Sequence, residues 1–216
     1  MQKIAIIIPC YNEEKRLSRE AVQNLLETSP ADVFLCNDGS TDATLGLLRN
    51  ISDDLERCFF IDYEKNAGKA NTIYKSVNQL LDSGTYDYIG YLDADFSTPV
   101  AEASRLIGIQ LQNPDKFIIG SRIQLLNSEI RRKHYRHIIG RIIVTIVNLK
   151  FKLGIYDTQC GAKIFPAKIA STGFAKPFAT SWLFDIELFI RLKNKGMLPH
   201  GKEVPLYGWK DIEGSK

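Results

Sequence analysis

Short apolar runs alternate with segments of helical periodicity along the first half of the chain. The apolar runs have the length and composition of buried strands; they cover residues 3–9, 33–37, 58–62, 88–93 and 117–121. The segments between them repeat apolar residues every three or four positions, as amphipathic helices do; they cover residues 18–27, 41–51, 69–81 and 99–111. This alternation predicts an α/β fold, with a mostly parallel sheet covered by helices on both faces.

Polar residues follow four consecutive predicted strands. They are the stretches 11–14 (YNEE), 38–42 (DGSTD), 66–69 (NAGK) and the pair Asp93 and Asp95. In open α/β sheets, ligands bind beyond the carboxyl ends of the strands. We therefore expect these four strand ends to form one binding site.

Two carboxylates, Asp93 and Asp95, stand one residue apart at the end of the fourth predicted strand. Successive side chains of a strand point to opposite faces, so both acids can reach one ligand only if the chain bends there. Ser97 and Pro99 are residues that favour such a bend. Mg²⁺ is typically held by one or two carboxylates together with substrate phosphates. Taken alone, the Asp-x-Asp pattern is more typical of an ordinary acidic turn than of a metal site.

Composition narrows the class of protein. The chain has 216 residues, of which 44% are hydrophobic, so it can bury one substantial core and a single domain is expected. The net charge of +3 is too small to indicate nucleic-acid binding. The cysteines at 10, 36, 58 and 160 form no Cys-x-x-Cys pair, which argues against a zinc site or a disulfide framework. A reducing cytoplasm fits this pattern, no signal peptide is visible, and no apolar run is long enough to span a membrane.

The second half contains a basic and apolar segment, residues 131–153. It begins with the basic stretch 131–137 (RRKHYRH) and continues at helical periodicity through an Ile- and Val-rich stretch, residues 138–153. A basic amphipathic helix of this kind can lie in a bilayer interface and attract anionic headgroups. The alternative is a helix that packs on the core and exposes a charged face.

The joint arrangement of motifs resembles the family 2 glycosyltransferases of GT-A (Rossmann-like) fold. The motifs are IIIPCYNEE, NDGSTDAT, NAGK, YLDADFSTP and GSR, in family order and spacing. Further motifs, DTQCGAKIF, FDIEL and WKDIEGSK, look like the polyprenyl-phosphate branch that includes the dolichyl-phosphate β-glucosyltransferases. The resemblance implies one catalytic domain, residues 1–216, with a nucleotide-sugar-binding half, 1–121, and an acceptor-binding half, 122–216.

The resemblance also implies an activity. It is the transfer of a hexose, with glucose favoured, from a UDP-sugar to a polyprenyl phosphate, with inversion and with Mg²⁺ or Mn²⁺ as cofactor. The enzyme would lie peripherally at the cytoplasmic face of a membrane, in cell-wall or glycan biosynthesis, and there is room for an integral-membrane partner. Two alternatives stay open: a relative that extends a surface glycan by attack of a sugar hydroxyl, and a catalytically silent subunit that binds a sugar nucleotide or docks at a membrane.

Site residues carry over from the family one by one. The donor site would comprise Pro9, Tyr11, Glu13, Asp38, Gly68, Lys69, Asp93 and Ala94. Within it the first three residues would border the nucleoside, and Asp38 would bond the base edge. Asp93 would lie near the ribose or the cation, and Asp95 would be the direct metal ligand. The catalytic group would be Asp93, Asp95, Asp185 and Lys69.

The residue types suit this chemistry. A nucleoside diphosphate gains negative charge as its bond to the sugar breaks, and a cation stabilises that charge without a proton donor. Lys69 would add a second positive charge, although a lysine at a helix N-terminus is equally typical of a solvated side chain.

The acceptor phosphate would meet arginines. Arg122 and Arg136 match positions that the branch uses for this purpose, and Arg141 is a third candidate. The planar guanidinium binds phosphate oxygens in bidentate fashion. A phosphate monoester is mostly dianionic at neutral pH, so it can attack without a general base, whereas a sugar hydroxyl would need one.

Two acids in the motif FDIEL are separated by one residue, so they do not share a helix face. Of these, Asp185 and Glu187, we expect Asp185 to point inward and to orient the acceptor or its arginines. The alternative for Asp185 is a helix cap or an acid of the first turn.

Overall fold

The computed structural model describes residues 2–131 and 134–212; of positions 134, 136 and 137 it describes the backbone alone. Within these residues the strands are β1 (Ile4–Cys10), β2 (Asp32–Asp38), β3 (Cys58–Tyr63), β4 (Tyr88–Tyr91), β5 (Phe117–Ser121), β6 (Glu129–Arg131), β7 (Lys163–Pro166), β8 (Gly201–Pro205) and β9 (Gly208–Lys210). The helices are α1 (Arg19–Thr28), α2 (Thr44–Asp54), α3 (Lys69–Asp82), α4 (Val100–Gln112), α5 (His134–Phe151), α6 (Ala167–Gly173) and α7 (Phe184–Asn194), with a short 3₁₀ turn at Leu198–His200.

A seven-stranded sheet forms the centre of the fold, in the order β3-β2-β1-β4-β7-β5-β8. All neighbouring pairs are parallel except those of β7, which runs antiparallel to both β4 and β5. The predicted α/β fold with a mostly parallel sheet is therefore confirmed. Because β7 inserts between strands of the first half, both halves of the sequence contribute to one continuous sheet.

Apolar side chains cover both faces of this sheet. In β1, Ile4, Ile6 and Ile8 belong to one buried cluster, whereas Ala5 and Ile7 belong to the other. This division follows from the alternation of side chains along a strand. A strand buried on both faces must be apolar throughout, which is why the apolar run IAIIIP predicted a buried strand.

Element boundaries differ from the prediction where polar groups end an element. Strand β4 stops at Tyr91 rather than at residue 93, because the two aspartates that follow belong to a turn. The predicted helix 131–153 is shorter as well. Arg131 pairs in β6 with β9, and the helix ends at Phe151, before Lys152 with its left-handed φ of 49°.

Helix α5 presents apolar residues on two sides. Ile143, Val144 and Val147 pack towards the core. On the other side lies an exposed stripe, which comprises Tyr135, Ile138, Ile139, Ile142, Ile146 and Leu149. At 3.6 residues per turn these six positions share one face of the helix. The core-packing interpretation describes the first of these faces, whereas contact of the exposed stripe with a bilayer stays a prediction.

None of the helices within the described part of the chain has both the length and the hydropathy needed to cross a bilayer.

Candidate active site

A cleft of about 690 Å³ opens at the carboxyl ends of the central strands. Among the residues that line it are Pro9, Tyr11, Glu13, Asp38, Asn66, Gly68, Lys69, Asp93, Ala94, Asp95, Arg122 and Asp185. These positions come from the ends of β1, β2, β3 and β4 and from the second half of the chain. The four strand ends thus meet at one cleft, and every residue of the predicted donor set lines it; that the donor binds there stays a prediction.

The loops after β1 and β2 are tied together by side chains. Asn12 adopts a left-handed φ of 54°, which asparagine tolerates well. Its Oδ1 accepts the backbone N–H of Thr41 at 2.9 Å, and the backbone N–H of Glu13 donates to Thr44 Oγ1 at 2.7 Å. Burial raises the pKa of Glu13, and the ion pair with Arg16 opposes that shift without cancelling it. This side of the cleft, which is the predicted nucleoside site, is thus held together by the protein's own hydrogen bonds.

Asp38 holds the loop that carries Lys69. Its two carboxylate oxygens accept the backbone N–H groups of Ala67 and Gly68, each at 2.9 Å. The neighbouring Gly39 has a φ of 63°, and a Cβ there would lie 2.4 Å from the backbone nitrogen of Asn66. Asp38 is 2% exposed, so the structure assigns its carboxylate first to this loop; contact with a base edge stays a prediction.

The chain turns sharply after β4, as the two aspartates require. The backbone N–H of Phe96 donates to the carbonyl oxygen of Asp93 at 3.1 Å, and Phe96 has a left-handed φ of 49°. Ser97 donates its backbone N–H and its hydroxyl to Asp95 Oδ1, at 2.9 and 2.7 Å. Asp95 Oδ2 accepts no hydrogen bond from the described residues. One oxygen therefore anchors the turn, and the other is available to a ligand.

Lys69 lies among three carboxylates. Its Nζ forms an ion pair with Asp93 Oδ1. Burial alone would lower the pKa of Lys69, but Asp93, Asp185 and Asp95 outweigh burial and raise it. Burial would also raise the pKa of Asp93, yet the positive charge of Lys69 holds that pKa below its usual value. Both groups are therefore charged at neutral pH; the Lys69 side chain is 40% exposed, so this lysine is solvated as well as ion-paired.

Gly161 lies directly behind the carboxylate of Asp93. A Cβ at this position would be 1.8 Å from Asp93 Oδ2 and 2.2 Å from Asp93 Cγ. Any side chain at 161 would therefore compete with Asp93 for the same space. The sequence offered no signal for this contact, because the two residues lie on different strands and loops.

Asp185 points inward from the first turn of α7 and is 5% exposed. Its Oδ1 accepts the hydroxyl of Tyr91 and lies 3.0 Å from Lys163 Nζ. Burial raises the pKa of Tyr91 well above its usual range and Asp185 raises it further, so the hydroxyl keeps its proton and donates. Glu187 instead pairs with Arg191 at 2.6 Å. The expectation that Asp185 is the inward acid is confirmed, and its carboxylate does not cap the helix.

Arg122 is engaged within the protein. Its Nε and Nη2 bind Asp157 Oδ2 and Oδ1 at 2.7 and 2.8 Å. Although burial opposes it, this pair raises the pKa of Arg122 and lowers the pKa of Asp157. The bidentate face predicted to bind phosphate is thus occupied by a carboxylate, and Nη1 is the guanidinium nitrogen outside that pair. Gln159 also lines the cleft, and its buried Nε2 has no hydrogen-bond partner among the described residues.

The other two predicted acceptor arginines are Arg141 and Arg136. Arg141 is not among the residues that line the cleft; it borders a small cavity beside it, donates to the carbonyl oxygen of Tyr156 at 3.0 Å and stacks on the Tyr156 ring. Its guanidinium is held by Tyr156 outside the cleft, and its phosphate contact stays a prediction. The side chain of Arg136 lies outside the described residues.

The acids fit a cation that a substrate helps to bind. In the described ranges no group of three or more His, Cys, Asp or Glu side chains could hold a metal ion. Asp95 Oδ2 and the carboxylate of Asp93 supply oxygen ligands, and Mg²⁺ commonly completes such a pair with substrate phosphates and water. The donor set therefore suits Mg²⁺ or Mn²⁺ bound together with a diphosphate.

Comparison with known proteins identifies the class. The model of glycosyl transferase family 2 matches residues 5–174. The chain is 30% identical over 232 residues to the human dolichyl-phosphate β-glucosyltransferase, covering 100% of this chain and 69% of the human protein. It is 27% identical over 231 residues to dolichyl-phosphate β-glucosyltransferase ALG5D of Trichomonas vaginalis, covering 99% and 67% of the two chains. The chain belongs to glycosyl transferase family 2, and it is an enzyme related to the dolichyl-phosphate β-glucosyltransferases.

Solved structures agree on the fold. Glucosyl-3-phosphoglycerate synthase from Mycobacterium tuberculosis in complex with UDP superimposes with a TM-score of 0.71 at 15% identity, covering 100% of this chain and 73% of that one. The same enzyme bound to Mn²⁺ and UDP-glucose gives a TM-score of 0.70 at 14% identity, covering 99% and 72%. This chain has the GT-A fold of those glycosyltransferases.

Proposed function

We propose that the protein is an inverting, metal-dependent transferase that moves a hexose, with glucose favoured, from a UDP-sugar to a polyprenyl phosphate at a membrane surface. The observation that carries the proposal is one cleft with two kinds of wall. Asp93, Asp95 and Lys69 line one part, whereas Ile139 and Trp182 line another. A charged pyrophosphate suits the first part and a prenyl chain suits the second.

The donor side works through charge. A bound Mg²⁺ or Mn²⁺ would be held by Asp95 and Asp93 and would stabilise the negative charge that develops on the departing UDP. Lys69, which pairs with Asp93 in the free protein, can turn its ammonium group to the diphosphate and add a second positive charge. Because these groups are already in place, little reorganisation is needed when the bond breaks.

The acceptor side needs no general base. An oxygen of the lipid phosphate would attack the anomeric carbon from the face opposite UDP, forming the new C–O bond as the bond to UDP breaks. The phosphate is already mostly dianionic at neutral pH. Arg122 Nη1 and Gln159 Nε2 are the donors that suit its oxygens, and Asp157 fixes Arg122 in place.

Contact with the membrane would run through the exposed stripe of α5. The stripe is largely apolar and begins within the basic segment 131–137. It includes Ile139, which also lines the cleft. A helix that lies in the interface buries its apolar face below the headgroups and gains from anionic lipid. This would place the mouth of the cleft beside the lipid phosphate, at the cytoplasmic face.

One incubation tests the proposal. Purified protein, UDP-glucose, Mn²⁺ or Mg²⁺ and a short polyprenyl phosphate should yield a glycolipid whose anomeric configuration is inverted relative to the donor. A silent subunit would bind the sugar nucleotide without product, and transfer to a sugar hydroxyl but not to lipid phosphate would favour glycan extension. Either result would contradict the proposal.

A further inference from the structure

A fully buried lysine lies beneath the cleft. Lys163 in β7 is 0% exposed; its Nζ donates to the carbonyl oxygen of Cys160 and pairs with Asp185 at 3.0 Å. Taking an ammonium and a carboxylate out of water costs several kcal/mol per ion, and well-packed apolar replacements are often as stable. Stability alone therefore gives little reason for a charged pair at this point of the core.

The contacts of Asp185 are one-sided. Both Lys163 Nζ and the Tyr91 hydroxyl contact the same oxygen, Oδ1. Oδ2 accepts no hydrogen bond from any described residue, although Asp185 lines the cleft. Two donors on one oxygen fix the rotation of the carboxylate and leave the second oxygen for a ligand.

We infer that Lys163 and Tyr91 are positioning residues, which hold Asp185 so that its second carboxylate oxygen stays directed to the substrates. The inference rests on the proposed function, together with the prediction from the sequence that Asp185 orients the acceptor or its arginines. Lys163 and Tyr91 themselves are not among the residues that line the cleft. They act through Asp185, whose negative charge is close enough to Lys69 to affect its pKa.

The position of the Asp185 carboxylate matters because the rate of transfer depends steeply on the geometry of the groups that contact the substrates. A misplacement of about 1 Å can cost on the order of 100-fold in rate. Removal of either donor would let the carboxylate rotate, and removal of Lys163 would also leave Asp185 buried without its counter-charge. Both changes should therefore lower the rate of bond cleavage while UDP and Mn²⁺ still bind, because Asp93, Asp95 and Lys69 are unchanged.

The mildest test is Tyr91→Phe, which removes only the hydroxyl. Its matched control is Tyr88→Phe, since Tyr88 is a buried tyrosine of the same strand that packs on the opposite face of the sheet. Release of UDP from UDP-glucose should fall about tenfold in Tyr91→Phe, the loss expected for one hydrogen bond to a charged group. The control should keep the wild-type rate, and the affinity for UDP with Mn²⁺ should stay within about twofold in both.

A double-mutant cycle decides whether the residues act through Asp185. Tyr91→Phe and Lys163→Met are each measured alone and in the background of Asp185→Asn. If both act through Asp185, neither should lower the rate of the Asp185→Asn protein further by more than about twofold. Losses that add to that of Asp185→Asn would overturn the inference, as would a wild-type rate in Tyr91→Phe.

The design separates two kinds of failure. Lys163→Met is checked by thermal unfolding, and if it does not fold, the Tyr91→Phe cycle decides alone. UDP release is measured with and without polyprenyl phosphate. If the wild type shows no increase with the lipid, the proposed function fails, whereas the cycle is still measured on cleavage of the donor.

Discussion

The position of one carboxylate depends on a residue that has no side chain. Asp93 pairs with Lys69 on one side and lies against Gly161 on the other. The two residues are far apart in sequence, and sheet pairing between β4 and β7 brings them together. Lys69 thus keeps Asp93 ionised, and the absence of a side chain at Gly161 leaves the space that the Asp93 carboxylate occupies.

We expect Gly161→Ala to displace Asp93 and impair the cation site. The new methyl group would overlap the carboxylate, which can relieve the overlap by rotating into the cleft. Transfer should fall by about 100-fold, as for other misplaced catalytic groups, and half-maximal activity should need more Mn²⁺. Titration of activity with Mn²⁺ measures both effects.

Gly108→Ala is the control for that variant. It makes the same change in α4, where a Cβ would meet nothing within 4 Å. This control should keep wild-type activity and Mn²⁺ dependence. Wild-type Mn²⁺ dependence in Gly161→Ala would contradict the role given to Gly161.

The buried pair of Arg122 and Asp157 predicts a pH-dependent contribution to stability. The side chains are 10% and 8% exposed, and removal of one partner from such a pair typically costs about 3–5 kcal/mol. We therefore expect Arg122→Ala to lower the free energy of unfolding by about that amount at pH 7, besides impairing transfer. Urea denaturation at several pH values measures it.

The sign of the pH effect follows from Asp157. Its pKa is lowered in the folded protein, so the stabilisation is complete above the unfolded pKa of about 3.9 and is lost as the pH falls towards the folded pKa. The difference between wild type and Arg122→Ala should therefore shrink in acid. A difference that is constant with pH would contradict this assignment.

At the scale of single residues, the sequence predicted groups that act at the ends of their own strands. Asp93 and Asp95 follow an apolar strand and Lys69 begins the helix after β3, so their place in the cleft could be inferred from local pattern. Gly161 and Lys163 could not be inferred in the same way. Their roles depend on contacts across the sheet, and nothing in the local sequence encodes the distance to Asp93 or Asp185.

Elements were predictable when they were long and apolar. The five parallel strands of the first half and helices α1 to α4 follow the predicted order, because each has a clear period of its own. The short strands β6 and β9 have three residues each and pair with one another across most of the second half of the chain. Such short strands form only because they pair with each other, so the periodicity of the local sequence does not predict them.

Helix α5 gives a prediction at this scale. If its exposed stripe enters a bilayer, replacing Ile142 and Ile146 with glutamine should weaken binding to vesicles of phosphatidylcholine and phosphatidylserine by at least about tenfold. Burial of each isoleucine is worth about 1.5–3 kcal/mol when complete, and partial burial gives less. Co-sedimentation with the vesicles measures the change.

Thr145→Gln is the matched control, because Thr145 is exposed on the same helix beside the edge of the stripe and is already polar, so the change removes little apolar surface. It should bind vesicles like the wild type. Equal binding of the double variant and the control would show that the stripe does not enter the bilayer, and the proposed membrane contact would then need another surface.

At the scale of the whole molecule, one sheet joins the two chemical halves of the cleft. Strand β4 leads into Asp93, and its neighbour β7 carries Lys163 and follows the segment with Gln159. The proposed acceptor side is therefore held to the proposed donor side by main-chain hydrogen bonds rather than by a mobile linker. The order of the motifs predicted both sides, but the insertion of β7 between β4 and β5 was not readable, because an antiparallel strand has no place in a simple βαβ series.

If the cation is held jointly by Asp95 and the donor's phosphates, UDP and Mn²⁺ together should raise the free energy of unfolding more than UDP alone. UDP with Mn²⁺ at a hundredfold excess over its dissociation constant should stabilise the folded protein by about 2.7 kcal/mol, seen as a rise in melting temperature. Chelation with EDTA should remove most of that rise, because the phosphates lose their bridge to Asp95. Asp95→Asn should show the smaller, EDTA-like rise even with Mn²⁺ present, whereas Asp53→Asn, an exposed acid of α2, should behave like the wild type. An undiminished Mn²⁺-dependent rise in Asp95→Asn would remove Asp95 from the cation site and with it the metal-dependent mechanism.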